Sequence, residues 1–266
     1  MNIMETQPEN PLETSLKLAA NEPAHRPAFF NTLLNSSVYI LGTAGEADGH
    51  VNLEAGSNIS IAHWQKPDGT PVLPFFSSLQ TLQQSIDSEQ SYLEIPARSL
   101  FEITLGALLF LNPKSPYGKE FLPEEVRNLL ADAVGQAATT RTVEKDTNVL
   151  LGQPAEYPSQ MVNSLTQLLA KHSNVKRAFL ALMHDTTVDE KPHLIVGIEA
   201  DGDIDRVMRE AGNVAGDTAP DGGPVDLCRV IEGETGLSDY FLREVTPFYE
   251  RKWGSKLRSL LGFRKA

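Results

Sequence analysis

The stretch Ala107–Phe121, ALLFLNPKSPYGKEF, decides how this chain is read. ALLFLN is an apolar run of strand length, and Asn112-Pro113 ends it, because the residue before a proline is pushed out of the helical region and proline cannot donate to a sheet ladder. Pro116-Tyr117-Gly118 adds a second turn signal. The helix PEEVRNLLADAV follows, with Pro123 at its first position and Glu124 and Glu125 near its positive end. A strand delivered to a helix through a proline-rich loop predicts a domain that mixes helices with a sheet.

The flanking segments agree. Upstream, Asn10-Pro11 with Glu13 predicts a capped first helix carrying Leu12, Leu16 and Ala19 on one face. A second helix near Pro27, with Phe30, Leu33 and Leu34 inward, leads to the strand SVYILG, ended by Gly42, and then to an exposed excursion from Thr43 to Asn58. Two β-rich runs around Lys66-Pro67-Asp68-Gly69 read as a hairpin. Downstream, GQAATTRTVEKDT lacks large hydrophobic periodicity and reads as a linker. The second half then runs β-α-β-β-α-β, the order of a ferredoxin-like unit, with an extra terminal helix ending at or interrupted by Pro247. The expected organisation is α+β in two domains, residues 1–140 and 141–253, followed by a basic tail over 254–266.

Composition narrows the function classes. With 266 residues, 41% of them apolar, the chain can build two cores. No apolar run approaches the ~20 residues that span a bilayer, and the polar N-terminus lacks a leader pattern, so a cytoplasmic, unprocessed protein is expected. A formal charge of −12 disfavours nonspecific attraction to nucleic acid. Six lysines and arginines follow Glu250 with no acid among them, so a basic strip ends an acidic body. In that strip Trp253, Leu257, Leu260 and Leu261 share one helical face, which suits an anionic membrane surface, a partner groove or the protein's own acidic surface; the last is favoured, since so short a helix containing Gly254 is marginal alone.

Patterns with catalytic or metal-binding character are incomplete. Asp201, Asp203 and Asp205 open like a calcium loop, but Arg206 stands where that loop needs glycine and Gly212 where it needs a bidentate glutamate, so the acids are expected to start a helix. His184 and His193, with Asp185, could meet across a hairpin, yet no third ligand is placed by spacing. Cys228, the only cysteine, precludes an intrachain disulfide and reads as a buried, inert thiol. Neither a catalytic set, a metal site nor a cofactor is predicted. What remains is a contact surface: the loop supplies Asn112, Ser115, Tyr117 and Lys119. Adjacent Phe75 and Phe76 cannot share one strand face, so one ring is expected near the surface.

These residues carry a resemblance. VYILG, PDGTPVLPFFSSLQTL and LLFLNPKSPYGKEFLPEEV in the first half, with VLLGQPAEYPSQMVNSL, KPHLIVGIEAD, VDLCRV and PFYER in the second, resemble the SseB family, the enhanced serine sensitivity proteins of bacteria. The resemblance implies a two-domain cytoplasmic protein named for a dosage phenotype, and it implies no catalytic residue or cofactor. The expectation is a noncatalytic adaptor or regulator linked to serine or allied amino-acid metabolism. It would bind an unidentified protein through Phe75, Phe76, Asn112, Ser115, Tyr117 and Lys119. Two rivals stand beside it: a small-molecule sensor or enzyme with an interdomain pocket using Arg177, His184, Asp185 and His193, and a secretion-associated, chaperone-like adaptor.

Overall fold

The structure is a computed structural model that describes residues 10–44, 59–133, 149–186 and 191–251. The chain divides into two compact units, Met1–Ala137 and Ala138–Ala266, each with its own sheet.

The first unit opens with α1 (Pro11–Asn21), where Asn10 Oδ1 accepts the amide of Glu13 at 2.8 Å as the N-cap. After a single 3-10 turn, α2 (Arg26–Leu34) leads into β1 (Ser37–Ala44). That strand runs past Gly42, where a Cβ would collide with the Ser60 carbonyl oxygen, so glycine here marks the close approach of β2 (Ile59–Ile61) and not a strand end. The hairpin of β3 (Trp64–Gln65) and β4 (Pro71–Phe76) forms as expected, with Gly69 at φ +84° and its amide on the Lys66 carbonyl at 2.8 Å.

Next come α3 (Leu79–Gln83), β5 (Tyr92–Pro96), α4 (Ala97–Ile103) and β6 (Leu109–Leu111), which pairs parallel with β4. The stretch after β6 differs from its sequence reading. The chain turns back first as β7 (Lys119–Phe121), antiparallel to β6, and only then enters α5 (Pro123–Ala133).

The sheet of this unit, β2-β1-β4-β6-β7 with β5 on β1 and β3 on β4, is covered on both faces. Phe75 joins Ile40, Phe101 and Phe121 in a core with the apolar sides of α1, α2, α4 and α5. Phe76 points the other way, into a smaller cluster with Leu41, Leu82 of α3 and Trp64. Both rings are 0% exposed. The expectation of one surface ring is therefore corrected: it took the sheet to have a solvated face, and α3 with Trp64 covers that face.

The second unit runs β8 (Val149–Gly152), α6 (Ser159–Ala170), β9 (Val175–Asp185), β10 (His193–Ala200), α7 (Asp205–Thr218), β11 (Val225–Arg229), α8 (Leu237–Glu244) and β12 (Tyr249–Glu250). The α+β class and the order of elements stand. The strand order does not follow a ferredoxin-like unit, in which strands interleave; here it is β11-β10-β9-β12, with β8 directly on β9. The reason is the length of β9. Its 11 residues pair with β10 on one edge, while β8 and β12 take separate portions of the other, β8 at Leu182–Asp185 and β12 at Arg177–Ala178. Past Pro247 the chain is not helical but returns as β12.

Alternation along β9 splits the unit into two layers. Phe179, Ala181 and Met183 pack with Ile195, Val230, Phe241 and Val245 under α8. Leu180, Val196 and Ile198 point to the opposite side and are buried there, the side of the adjoining α6 and α7. Arg251 ties the C-terminal end of α6 to the start of β9, donating to the carbonyls of Ala170 at 3.2 Å, His172 at 2.7 Å and Val175 at 3.0 Å.

Gly197 sits on β10 beneath α8, where a Cβ would lie 2.7 Å from Val230 Cγ2 and 2.9 Å from the Phe241 ring. Gly197→Ala is expected to lower the unfolding free energy by about 1–3 kcal/mol in urea titration, the usual cost of overpacking a filled core.

Candidate contact surface and its relatives

The loop after β6 is clamped at its root. Asn112 is 2% exposed and takes the left-handed conformation, φ +49°, which asparagine tolerates better than most residues. Its Oδ1 accepts the Ser77 amide at 2.9 Å and its Nδ2 donates to Ser77 Oγ at 2.8 Å, while its own amide donates to the Phe75 carbonyl at 2.9 Å. The network continues outward. Ser77 Oγ and Ser78 Oγ donate to Glu13 Oε1 at 2.9 and 2.6 Å, and Asn10 Nδ2 donates to the Ser77 carbonyl at 2.8 Å. One group of side chains thus ties together the start of α1, the β4–α3 junction and the loop.

Above this root the chain makes a tight turn. The Ser115 amide donates to the Asn112 carbonyl at 2.9 Å, and Ser115 Oγ accepts the Tyr117 amide at 3.3 Å. At Gly118 a Cβ would lie 2.9 Å from both the Asn112 carbonyl oxygen and the Phe110 ring, so the return strand can pass only without a side chain. The half-buried Tyr117 ring packs on the core and lies 5.7 Å from Lys17 Nζ. Exposed Lys114 places its Nζ 5.7 Å from the Trp64 ring. Lys119 pairs with Glu125 at 2.8 Å and lies 4.8 Å from the Phe121 ring. The outer surface is therefore cations over aromatic rings, an arrangement that offers flat apolar area and positive charge together.

Among the six residues expected to bind, Phe75, Phe76 and Asn112 are buried and build the platform. Ser115, Tyr117 and Lys119 are half-buried around its rim, beside Lys17, Lys114 and Trp64, which sequence reasoning did not select. Lys114 belongs to the loop itself, whereas Trp64 is brought to it by the pairing of β3 with β4 and Lys17 by the packing of α1 on the core.

Of the residues of the rival reading, His184 and His193 do not meet, and Arg177 lies toward the other end of β9. His193 lies opposite Met183, so His193 and His184 project from opposite faces of the sheet and do not meet across the hairpin. His193 Nε2 is 3.0 Å from Asp226 Oδ2, and Arg177 Nε donates to Glu199 at 2.6 Å. Asp203 Oδ1 accepts the amide of Asp205 at the first residue of α7, and Asp201 pairs with Lys176 at 2.6 Å. Among the described residues, no group of three or more His, Cys, Asp or Glu is placed to hold a metal ion, and no helix is long and apolar enough to cross a membrane. Trp253, Leu257, Leu260 and Leu261 lie outside the described residues.

Cys228 is half-buried on β11 against the α8 core. Burial, with the Asp226 carboxylate nearby, pushes its thiol up to about 12. At pH 8 it is expected to react with a thiol reagent roughly a hundredfold or more slowly in the folded protein than in guanidinium, because only the thiolate attacks. Asn112→Ala is expected to cost about 2–4 kcal/mol in urea unfolding, combining a stranded Ser77 amide with a left-handed alanine. Asn112→Gly, which relieves the backbone but not the lost bonds, should cost about 1 kcal/mol less.

Comparison with known proteins follows the division seen in the fold. Residues 12–128 match the family model of the SseB protein N-terminal domain, and residues 143–251 that of the SseB protein C-terminal domain. Protein SseB of Escherichia coli (strain K12) is 44% identical over 253 residues, which is 95% of this chain and 96% of that protein, and Protein SseB of Shigella flexneri matches to the same extent. No solved structure matches. With both domain models matched in order and near-complete coverage of these relatives, the chain belongs to the SseB family.

Proposed function

We propose that this protein is a noncatalytic adaptor or regulator that binds another protein through the loop between β6 and β7, in a process tied to serine or allied amino-acid metabolism. The observation that carries the reading is the clamped root of that loop. Asn112 spends its side chain on the Ser77 amide and hydroxyl, at 2.9 and 2.8 Å, and so holds a surface segment in one shape. A segment ordered before it meets a partner loses little conformational freedom on binding, and the proline at each end of Pro113–Pro116 limits that loss further. Tyr117, Lys114, Lys17 and Trp64 supply the aromatic area and charge from which strong contacts are built. The link to amino-acid metabolism rests on the family resemblance.

The test is a paired variant, Tyr117→Ala with Lys114→Glu, placed on the rim so that the Asn112 network is untouched. Its melting temperature is expected to fall by several degrees, since the half-buried Tyr117 ring packs on the core, while a single cooperative transition with the parent's urea-unfolding slope marks it as folded. Quantitative affinity capture at equal abundance should then lose specific proteins that the parent retains. Capture of an unchanged set by a folded variant would refute the role of this surface.

A further inference from the structure

The second unit carries an apolar groove that the core does not use. Leu182 on β9, Leu194 on β10 and Val225 on β11 stand side by side in register, Leu194 being paired with both of the others. They continue the row of Leu180 and Val196 toward the end of the sheet, but all three are only half-buried. Pro154, Pro192 and Pro224 rise around them and enclose a groove of about 270 Å³. Two acids stand at its edge, Glu156 in the lining and Asp221 next to the lining Pro220, against Lys191 beside Pro192.

We propose that this groove is the docking site of the chain's own basic segment, residues 252–266, with Leu260 and Leu261 as the side chains that enter it. Three features support that occupant. The segment is cationic and apolar, with Lys252, Lys256, Arg258, Arg264 and Lys265 interspersed with leucines and no acid, which complements an apolar floor inside an acidic rim.

The second feature is reach. Arg251 is fixed beside Lys176, with its amide on the Lys176 carbonyl at 2.8 Å, and Leu182 lies six residues farther along the same strand, about 20 Å away at ~3.3 Å per residue. Leu260 and Leu261 follow Arg251 by nine and ten residues, about 30 Å of extended chain; because β12 runs antiparallel to β9 the segment must first turn back, and the remaining length still covers the distance to Leu182. Trp253, two residues on, cannot reach, so the anchors are the leucines and not the tryptophan.

The third feature is tethering. A segment attached to its own site acts at an effective concentration of order millimolar, well above that of another molecule's segment in micromolar solution.

The test uses the full chain carrying Ala155→Cys at the groove rim and Gly262→Cys beside the leucine pair, in a glutathione redox buffer. The expected result is an intrachain disulfide whose effective concentration falls at least tenfold when Leu260→Ser and Leu261→Ser are added, and falls again in high salt. The serine changes lie outside both cores, and melting curves of the two proteins should superimpose. Equal effective concentrations with and without the leucines would show a merely tethered segment and overturn the proposal. Disulfide-linked dimers in place of the intrachain product would assign the groove to a second copy and overturn it equally.

Discussion

The buried exchange between Asn112 and Ser77 is the constraint on which the first unit turns. Two parallel strands, β4 and β6, end beside each other, and at that point their backbones have left the ladder while still shielded from water. Unpaired amides there would be costly. Asn112 resolves this by entering the left-handed region, which turns the chain away and aims a side chain that can both donate and accept back at Ser77. Because Ser77 also meets Glu13 and the cap residue Asn10, the same few bonds fix where α1 begins. The turn that exposes Tyr117 and Lys114 is thus set by a polar cluster beneath it.

Aromatic packing extends the constraint inward. Phe75 meets Phe101 and Phe121 with ring centroids 6.0 and 5.9 Å apart, joining β4, α4 and β7. Phe76 repeats the arrangement on the other face, 6.1 Å from Trp64. Consecutive residues of one strand therefore hold two layers, and the Trp64 ring that backs Phe76 also faces Lys114. A core contact and a surface contact share one side chain, so the shape of the rim follows from the packing below it.

The second unit solves a different problem, a strand longer than its neighbours. β9 offers more edge than any single partner fills, and β8 and β12 divide it. The helices on one side cover Leu180, Val196 and Ile198 but leave Leu182, Leu194 and Val225 half-covered, which creates the apolar groove. A terminal basic segment in a chain of net charge −12 is then a natural counterpart to that groove and its acidic rim. Each unit so presents one feature beyond its core: a preshaped cationic and aromatic rim in the first, and an apolar slot in the second.

Local chemistry was legible from residue order alone. The Asn10-Pro11 cap, the Pro67-Asp68-Gly69 turn, the helical face of α1, and the ordered motifs of both halves follow from preferences acting within a few residues. The α+β class follows from their alternation. Long-range pairing was not legible. Nothing near Asn112 in the chain announces Ser77, whose amide it satisfies across 35 residues. Phe75 and Phe76 must point to opposite faces by alternation, but only the placement of α3 and Trp64 decided that both faces are covered. In the same way the sheet order of the second unit, the separation of His184 from His193, and the meeting of Leu182, Leu194 and Val225 depend on which strands become neighbours. That choice is made by the fit of whole layers, and no window of local sequence contains it.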